Sequence, residues 1–290
     1  MAFLPTYAVV YAGDDQIRFS GSSEQTIPDN LGIAKSGVEG WLSTPELKTT
    51  LTERASGNGA QDVSDSDILY SSRTISLHWV AMGGSRDEVL TAATKVLSTG
   101  GQTVRLRVVE ASQDTYVQGY TQPAMDATWF EGVITGTLTI VCPRPERLAW
   151  LPLQTQLFPV SVMQGGLQYN SGKGMKYPLS YGTAGSSSSL ALLLNQGSSK
   201  AYPVLTVTGS FPSGVQIQWG GNALQYDGAI GAVPLILDSR SQTASMGGVD
   251  VSRNLSRRDF PTVPSGGSVS LRLMSAGTGW VTAVCRDTYI

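Results

Sequence analysis

The stretch Arg73–Glu110, "RTISLHWVAMGGSRDEVLTAATKVLSTGGQTVRLRVVE", decides the fold, because two periodicities meet in it. In "RTISLHWV" the residues Ile75, Leu77 and Trp79 share one face, and in "TVRLRVVE" Val104, Leu106 and Val108 do so, with Arg105 and Arg107 opposite. Period two is the mark of a half-buried strand. Between them, Ser85 followed three residues on by Glu88 makes a capping box. Val89, Ala93, Val96 and Leu97 then recur at helical spacing until Gly100 and Gly101 end the helix. A third run, "GVITGTLTIVC" from Gly132 to Cys142, is long and rich in β-branched residues, which suit a pleated surface, and joins the same sheet. One helix therefore interrupts a fold that is mainly β.

Beyond Cys142 the segment "PRPERLAWLPL" carries Pro143, Pro145 and Pro152. Each removes a backbone donor and fixes φ, so no continuous ladder is expected through it. A chain of 290 residues is about twice the usual domain length. The junction is placed here, giving domains 1–150 and 151–290. The second begins with a Gly/Ser-rich stretch, Gln164 to Lys200, that includes "GSSSSL" and reads as loop. Short strands then return at steady spacing, "YPVLTVTG", "VQIQW", "VPLILD", "SVSLRLM" and "GWVTAVCRD", broken by "FPSG", "GGN" and "PSGG". That spacing predicts an all-β sandwich.

Composition excludes several functions. A formal charge of −2 supplies no field to hold phosphates, so sequence-specific or general nucleic-acid binding is not expected. Charged residues are only 14% of the chain, with Gly, Ser and Thr abundant, a balance that favours turns and short strands. The N-terminal "MAFLPTYAVVYAGDD" lacks the basic region that opens a secretory signal, and Leu190–Leu194 is too short to cross a bilayer, so no membrane insertion is expected. Cys142 and Cys285 have no paired spacing for zinc or redox work and read as buried, reduced thiols.

The usual catalytic kits are incomplete. His78 is the sole histidine and points with Thr74 and Ser76 away from the apolar face, so neither a Ser-His-Asp triad nor a multi-histidine metal site is expected. Asp62, Asp65 and Asp67 lack the glycine and terminal acid of an EF-hand loop and read as a solvated acidic turn. "NSGKGM" fails as a phosphate loop, with Leu167 in place of the first glycine and Gly174 in place of Ser or Thr. A glycosidase needs only two carboxylates, for which Glu39 and Glu46 beside aromatic residues are the candidates. Among 22 acidic residues, however, some pair is always at hand. No cofactor or metal is expected, and the chain is read as non-enzymatic.

The order of several stretches resembles a known family, the distal tail proteins of long-tailed bacteriophages (siphoviruses) and the related minor tail proteins of phages with actinobacterial hosts. They are "GVEGWLSTPELKTTLTERASGNGA", "SSRTISLHWVAMGGSRDEVL", "VRLRVVE", "TIVCPRPERLAW", "KYPLSYG", "YPVLTVTGSFPSGVQIQW", "LILDSRSQTASMGGVDVSRNLS" and "FPTVPSGGSVSLRL", which together span nearly the whole chain. The resemblance implies an N-terminal domain like the tail-tube protein, a β-barrel or sandwich with one flanking helix, and a C-terminal galectin-like β-sandwich. It also implies a structural component of the virion's tail tip or baseplate, assembled in the host cytoplasm as a hexameric ring. That ring hub would join the major tail tube protein to the tail-tip protein, with receptor-binding and tape measure proteins as further partners. A reducing cytosol speaks against a required disulfide.

Two sets of residues follow from these readings. A closed ring needs one patch docking onto a different patch of the next copy, and the loop Ser36–Ala60 suits this, with Trp41 as anchor and Glu46, Lys48, Glu53 and Arg54 as its polar rim. The galectin sugar site cannot be carried over, since the second half contains no histidine. Trp219, Tyr226 and Trp280 can nevertheless stack on a glycan or pack in the core. They define the alternative reading, a carbohydrate-binding module for host-surface attachment. A conduit for DNA also predicts a neutral or acidic lumen.

Overall fold

The computed structural model describes residues 3–21, 27–64, 68–126, 132–159 and 189–290. The chain divides into two compact units, Met1–Leu151 with Tyr289–Ile290, and Pro152–Thr288. The first unit is built from β1 (Tyr7–Ala12), β2 (Asp15–Ser20), β3 (Leu31–Glu39), β4 (Arg73–Met82), α1 (Arg86–Leu97), β5 (Thr103–Val109), β6 (Asp114–Met125), β7 (Val133–Cys142) and β8 (Arg147–Ala149). The three strands legible in the sequence are β4, β5 and β7, and β1, β2, β3 and β6 complete their sheet. Its order is β6-β5-β1-β2-β3-β4-β7, and β7 pairs back onto β6, closing a seven-stranded barrel. Closure removes the free strand edges an open sheet would expose.

Alternation fills the barrel. Along β4 the side chains of Ile75, Leu77, Trp79 and Ala81 are buried, while Thr74, Ser76 and His78 face outward. The seam where β6 meets β7 needs glycine. A Cβ on Gly119 would lie 2.4 Å from the carbonyl oxygen of Val141, and one on Gly136 would lie 2.4 Å from the Trp79 ring. Only a residue without a side chain lets the backbones and the indole approach so closely.

Helix α1 packs against β4, β6 and β7. Ser85 caps it, its hydroxyl accepting the Glu88 N–H at 3.3 Å, and the Glu88 carboxylate accepts the N–H of Gly84 at 2.9 Å, one residue before the cap. The buried face is Val89, Ala92, Ala93 and Val96, with Ala92 in the place expected for Leu97. Within the proline-bearing segment the ladder is broken as predicted, yet the short β8 forms between Pro145 and Pro152 and carries Arg147 inward.

The second unit comprises β9 (Leu153–Leu157), β10 (Leu190–Leu194), β11 (Val204–Ser210), β12 (Val215–Trp219), β13 (Asn222–Tyr226), β14 (Leu235–Asp238), β15 (Thr243–Met246), β16 (Val249–Asp250), β17 (Leu255–Arg258), β18 (Ser268–Leu273) and β19 (Thr278–Cys285). The chain ends in β20 (Thr288–Tyr289), which lines up beside β8. A five-stranded sheet, β10-β18-β12-β13-β17, and a six-stranded sheet, β16-β15-β14-β11-β19-β9, enclose one core. Leu193, Ile217, Leu224 and Leu271 come from the first sheet, and Leu157, Leu205, Leu237 and Val281 from the second. Two sheets around a shared apolar layer make a β-sandwich. Of the Gly/Ser-rich stretch, "NSGKGM" and "KYPLSYG" lie outside the described residues. Leu190–Leu194 is the edge strand β10, burying Ala191 and Leu193 between three exposed leucines.

Candidate functional site

The chain between β3 and β4 leaves the barrel as a two-limbed arm. Its limbs hold each other by backbone hydrogen bonds from Lys48 N–H to Leu69 O at 2.8 Å, from Ser71 N–H to Glu46 O at 2.7 Å and from Gln61 N–H to Thr52 O at 2.9 Å. Leu47 pairs with Tyr70 and Glu53 with Ala60, the latter closing the turn "SGNG" at the tip. Gly57 and Gly59 take positive φ there, a backbone region natural to glycine. Arg54 staples the tip, donating to Ala60 O at 2.8 Å and to the Asp62 carboxylate at 2.9 Å. Of the acidic turn, Asp62 is exposed as expected, while Asp65 and Asp67 lie outside the described residues.

Trp41 requires a correction. The sequence reading made it the anchor of the contact with the next copy, but it is only 2% exposed and belongs to the barrel core. It roots the arm instead. The neighbouring Gly40, at φ +78°, has room for no Cβ, which would lie 2.3 Å from Thr74 O. Buried Arg73 donates to the carbonyls of Gly40, Trp41 and Ser43 at 2.8, 3.0 and 2.8 Å, and to Pro145 O at 2.7 Å. Burial first and the adjacent Arg147 second push its pKa down to about 10, leaving it charged at neutral pH. The Arg147 guanidinium lies 5.7 Å from the Trp41 ring and 5.9 Å from that of Tyr289, so aromatic faces meet a buried cation. Burial lowers its pKa as well.

Glu46, Lys48, Glu53 and Arg54 are all exposed on the arm. Arg54 is engaged with its own arm, whereas Glu46, Lys48 and Glu53 have no side-chain partner among the described residues. The missed feature is apolar. Leu42, Leu47, Leu51 and Leu69 are between 53% and 64% exposed, an unusual run of bare leucines on one projecting segment. Three of them, Leu42, Leu47 and Leu51, fall within the ten residues "LSTPELKTTL", five and four apart, which was the signal available.

A groove lies on the outer wall over β1, β5 and β6. One part, about 340 Å³, is lined by Tyr11, Arg105, Gln118 and Trp150, and an adjoining part, about 230 Å³, by Gln118, Gly119, Tyr120, Pro143 and Arg144. Strand register builds it: Tyr11 opposes Arg105, which opposes Gln118. Trp150 stacks on Tyr11 at 5.2 Å, and Arg107 sits 4.4 Å from the Trp150 ring while gripping Asp114 at 2.8 and 2.6 Å. That bidentate grip holds the Arg107 pKa above its usual value. Arg105 and Arg144 have no partner among the described residues.

His78 hydrogen-bonds Thr137 at 3.2 Å and stands 3.5 Å from Glu39 on the outer wall, an ordinary polar-face position. Glu46 sits apart, on the arm. Among the described residues no cluster of three metal-ligating side chains occurs, and no helix is long and apolar enough to cross a membrane. Cys142 and Cys285 are free and buried, and burial raises their pKa to about 12 and about 11.

The three aromatic residues proposed for glycan stacking are dispersed. Tyr226 is a core residue, 3% exposed, whose hydroxyl accepts from Asn254 at 3.3 Å, so of the two roles open to it, packing is the one it takes. Trp219 is half-buried against the sandwich core. Trp280 lies on the other sheet, 38% exposed and opposite Thr208.

The fold, a closed barrel with one helix followed by a two-sheet sandwich, is shared with solved phage proteins. The chain is similar to the Dit protein (gp 19.1) of phage SPP1, described as a paradigm of the hub adsorption apparatus in phages infecting Gram-positive bacteria, with 11% identity, a TM-score of 0.62, and 98% of this chain and 99% of that one covered. It is also similar to a chain of the phage P2 baseplate in its Ca-activated conformation, with 10% identity, a TM-score of 0.51, and 98% and 99% covered. No protein-family model and no curated protein matches the sequence.

Proposed function

We propose that this protein is a structural hub of a siphovirus tail tip, assembling as a homo-oligomeric ring, six copies in the first instance. The ring joins the major tail tube protein to the tail-tip protein, with receptor-binding and tape measure proteins as further partners, and is assembled in the host cytoplasm into the virion. The observation that carries this is that a Dit-like fold runs through both units over nearly the full length. A projecting arm with exposed leucines, suited to contact with another chain, agrees with a structural role. The arm supplies the ring contact, with its leucines, Glu46, Lys48 and Glu53 facing the next copy and Trp41 and Arg73 holding its root. A second reading, attachment to a host glycan, rests on the exposed Trp280.

Solution mass with negative-stain imaging tests the hub. Annular particles of six copies of the 30.7 kDa chain, about 184 kDa, are expected. A strict monomer across the concentration range, together with Trp280-dependent glycan binding, would move the assignment to the attachment module.

A further inference from the structure

The geometry points to the groove over β1, β5 and β6 as the receptor for the arm of the next copy. This rests on the ring reading and names the two surfaces that close the ring.

Position is the first argument. Around the barrel the order is β6-β5-β1-β2-β3-β4-β7 and back to β6. The arm leaves between β3 and β4. The groove centres on β5, and from β5 two strands intervene before β3 in one direction and two before β4 in the other. Arm and groove therefore occupy opposite walls. Two different patches on opposite walls are not brought together twice in a simple twofold pair; they link copies head to tail, the kind of contact that makes a ring when its rotation closes.

Chemistry is the second. The arm presents four bare leucines with the unpaired carboxylates Glu46 and Glu53. The groove presents the exposed ring of Tyr120 and the exposed Pro143, with the unpaired guanidiniums Arg105 and Arg144. Apolar side chains meet an aromatic ring and a proline, and free acids meet free bases. Arg107 is held by Asp114, so it steadies Trp150 and leaves Arg105 and Arg144 as the cations on offer.

Site-directed cross-linking tests this. Leu47→Cys on the arm and Gln118→Cys in the groove are made as separate proteins, mixed, and oxidised mildly. The native thiols are buried, and the unmodified protein controls for them. A covalent dimer confined to the mixture is expected, since a disulfide demands Cα atoms within about 7 Å. Equal cross-linking in Leu47→Cys alone would mean arm meets arm and would overturn the proposal. A ring by mass with no mixed cross-link would overturn it too, while leaving the hub assignment standing; a monomer with no cross-link removes both. Arg105→Glu with Arg144→Glu provides a second reading. Both sites are exposed, so the fold, checked by circular dichroism, is retained, and half-assembly should need at least about tenfold more protein. Adding Glu46→Arg and Glu53→Arg to a second batch and mixing should recover assembly, and failure to recover it counts against this pairing.

Discussion

At the scale of single residues, the arm depends on groups that never reach its surface. Arg73 satisfies four carbonyls from inside the barrel, so its removal strands buried acceptors as well as deleting a charge. Arg73→Ala should cost roughly 3–5 kcal/mol, and Arg73→Lys should fail to rescue it, because an ammonium lacks the planar fork that reaches several carbonyls at once. Trp41→Ala should cost about 3–5 kcal/mol by leaving a cavity. Urea unfolding followed by tryptophan fluorescence measures all three. A loss under about 1 kcal/mol for Arg73→Ala would show the root to be held otherwise. The thiols give a pH test. Unfolded cysteine titrates near 9, and the folded values are raised to about 12 and about 11, so above pH 9 the unfolded chain releases protons that the folded one keeps. Stability is therefore full below pH 9 and falls as pH rises. Arg73, lowered to about 10, acts with the opposite sign above that pH. The fall should be read between pH 9 and 10, where Cys142→Ala combined with Cys285→Ala should flatten it.

At the scale of elements, α1 and the arm make separable predictions. Ser85→Ala removes the acceptor for the Glu88 N–H and should cost about 1 kcal/mol, read as a lower thermal midpoint with assembly intact. Deleting the arm from Thr44 to Leu69 and bridging the gap with a short glycine linker should leave a cooperatively folded monomer, because the arm's backbone bonds are mostly internal. A ring from the deleted protein would exclude the arm as the ring contact. Legibility in the sequence varied by element for the same physical reasons. Strands β4, β5 and β7 were readable because each buries one face and alternates without interruption. In β3 a register shift between Ile33 and Val38 breaks the period, and β6 carries Gly119 and Pro123, residues that normally argue against a strand. Strand β17, "LSRR", buries only Leu255 and leaves no pattern at all. The arm was legible as a shaped loop but its polarity was inverted: a tryptophan in a loop rich in polar residues looks like an anchor, and nothing local reveals that Arg73, over thirty residues away, ties its backbone to the barrel. The groove was invisible, since it exists only once β1, β5 and β6 lie side by side.

At the scale of the whole molecule, charge is divided unequally along the chain. Residues 1–151 carry 17 acidic and 11 basic side chains, net −6, so the remaining residues carry net +4 and the total stays at −2. If the barrel unit forms the ring, its own surplus of carboxylates surrounds whatever passes through, and a polyanion meets no field that would retain it. The two free arginines of the groove do not alter this, since the contact with the arm covers them. Two salt dependences follow, with opposite expectations. Ring assembly should weaken as salt rises from about 50 mM to 500 mM, because the screening length shrinks from above the roughly 10 Å found at 0.1 M to a few ångströms and the Arg105 and Arg144 contacts lose reach. Binding of duplex DNA to the assembled ring should be absent even at about 50 mM salt, where a protein neutralising several phosphates would hold it tightly and lose it steeply on adding salt. Gel shift with a short duplex measures the second directly. Retention with a steep salt slope would place a basic surface toward the DNA and would contradict a conduit lined by this unit, whereas no retention beside salt-sensitive assembly is what charges arranged for subunit contact predict.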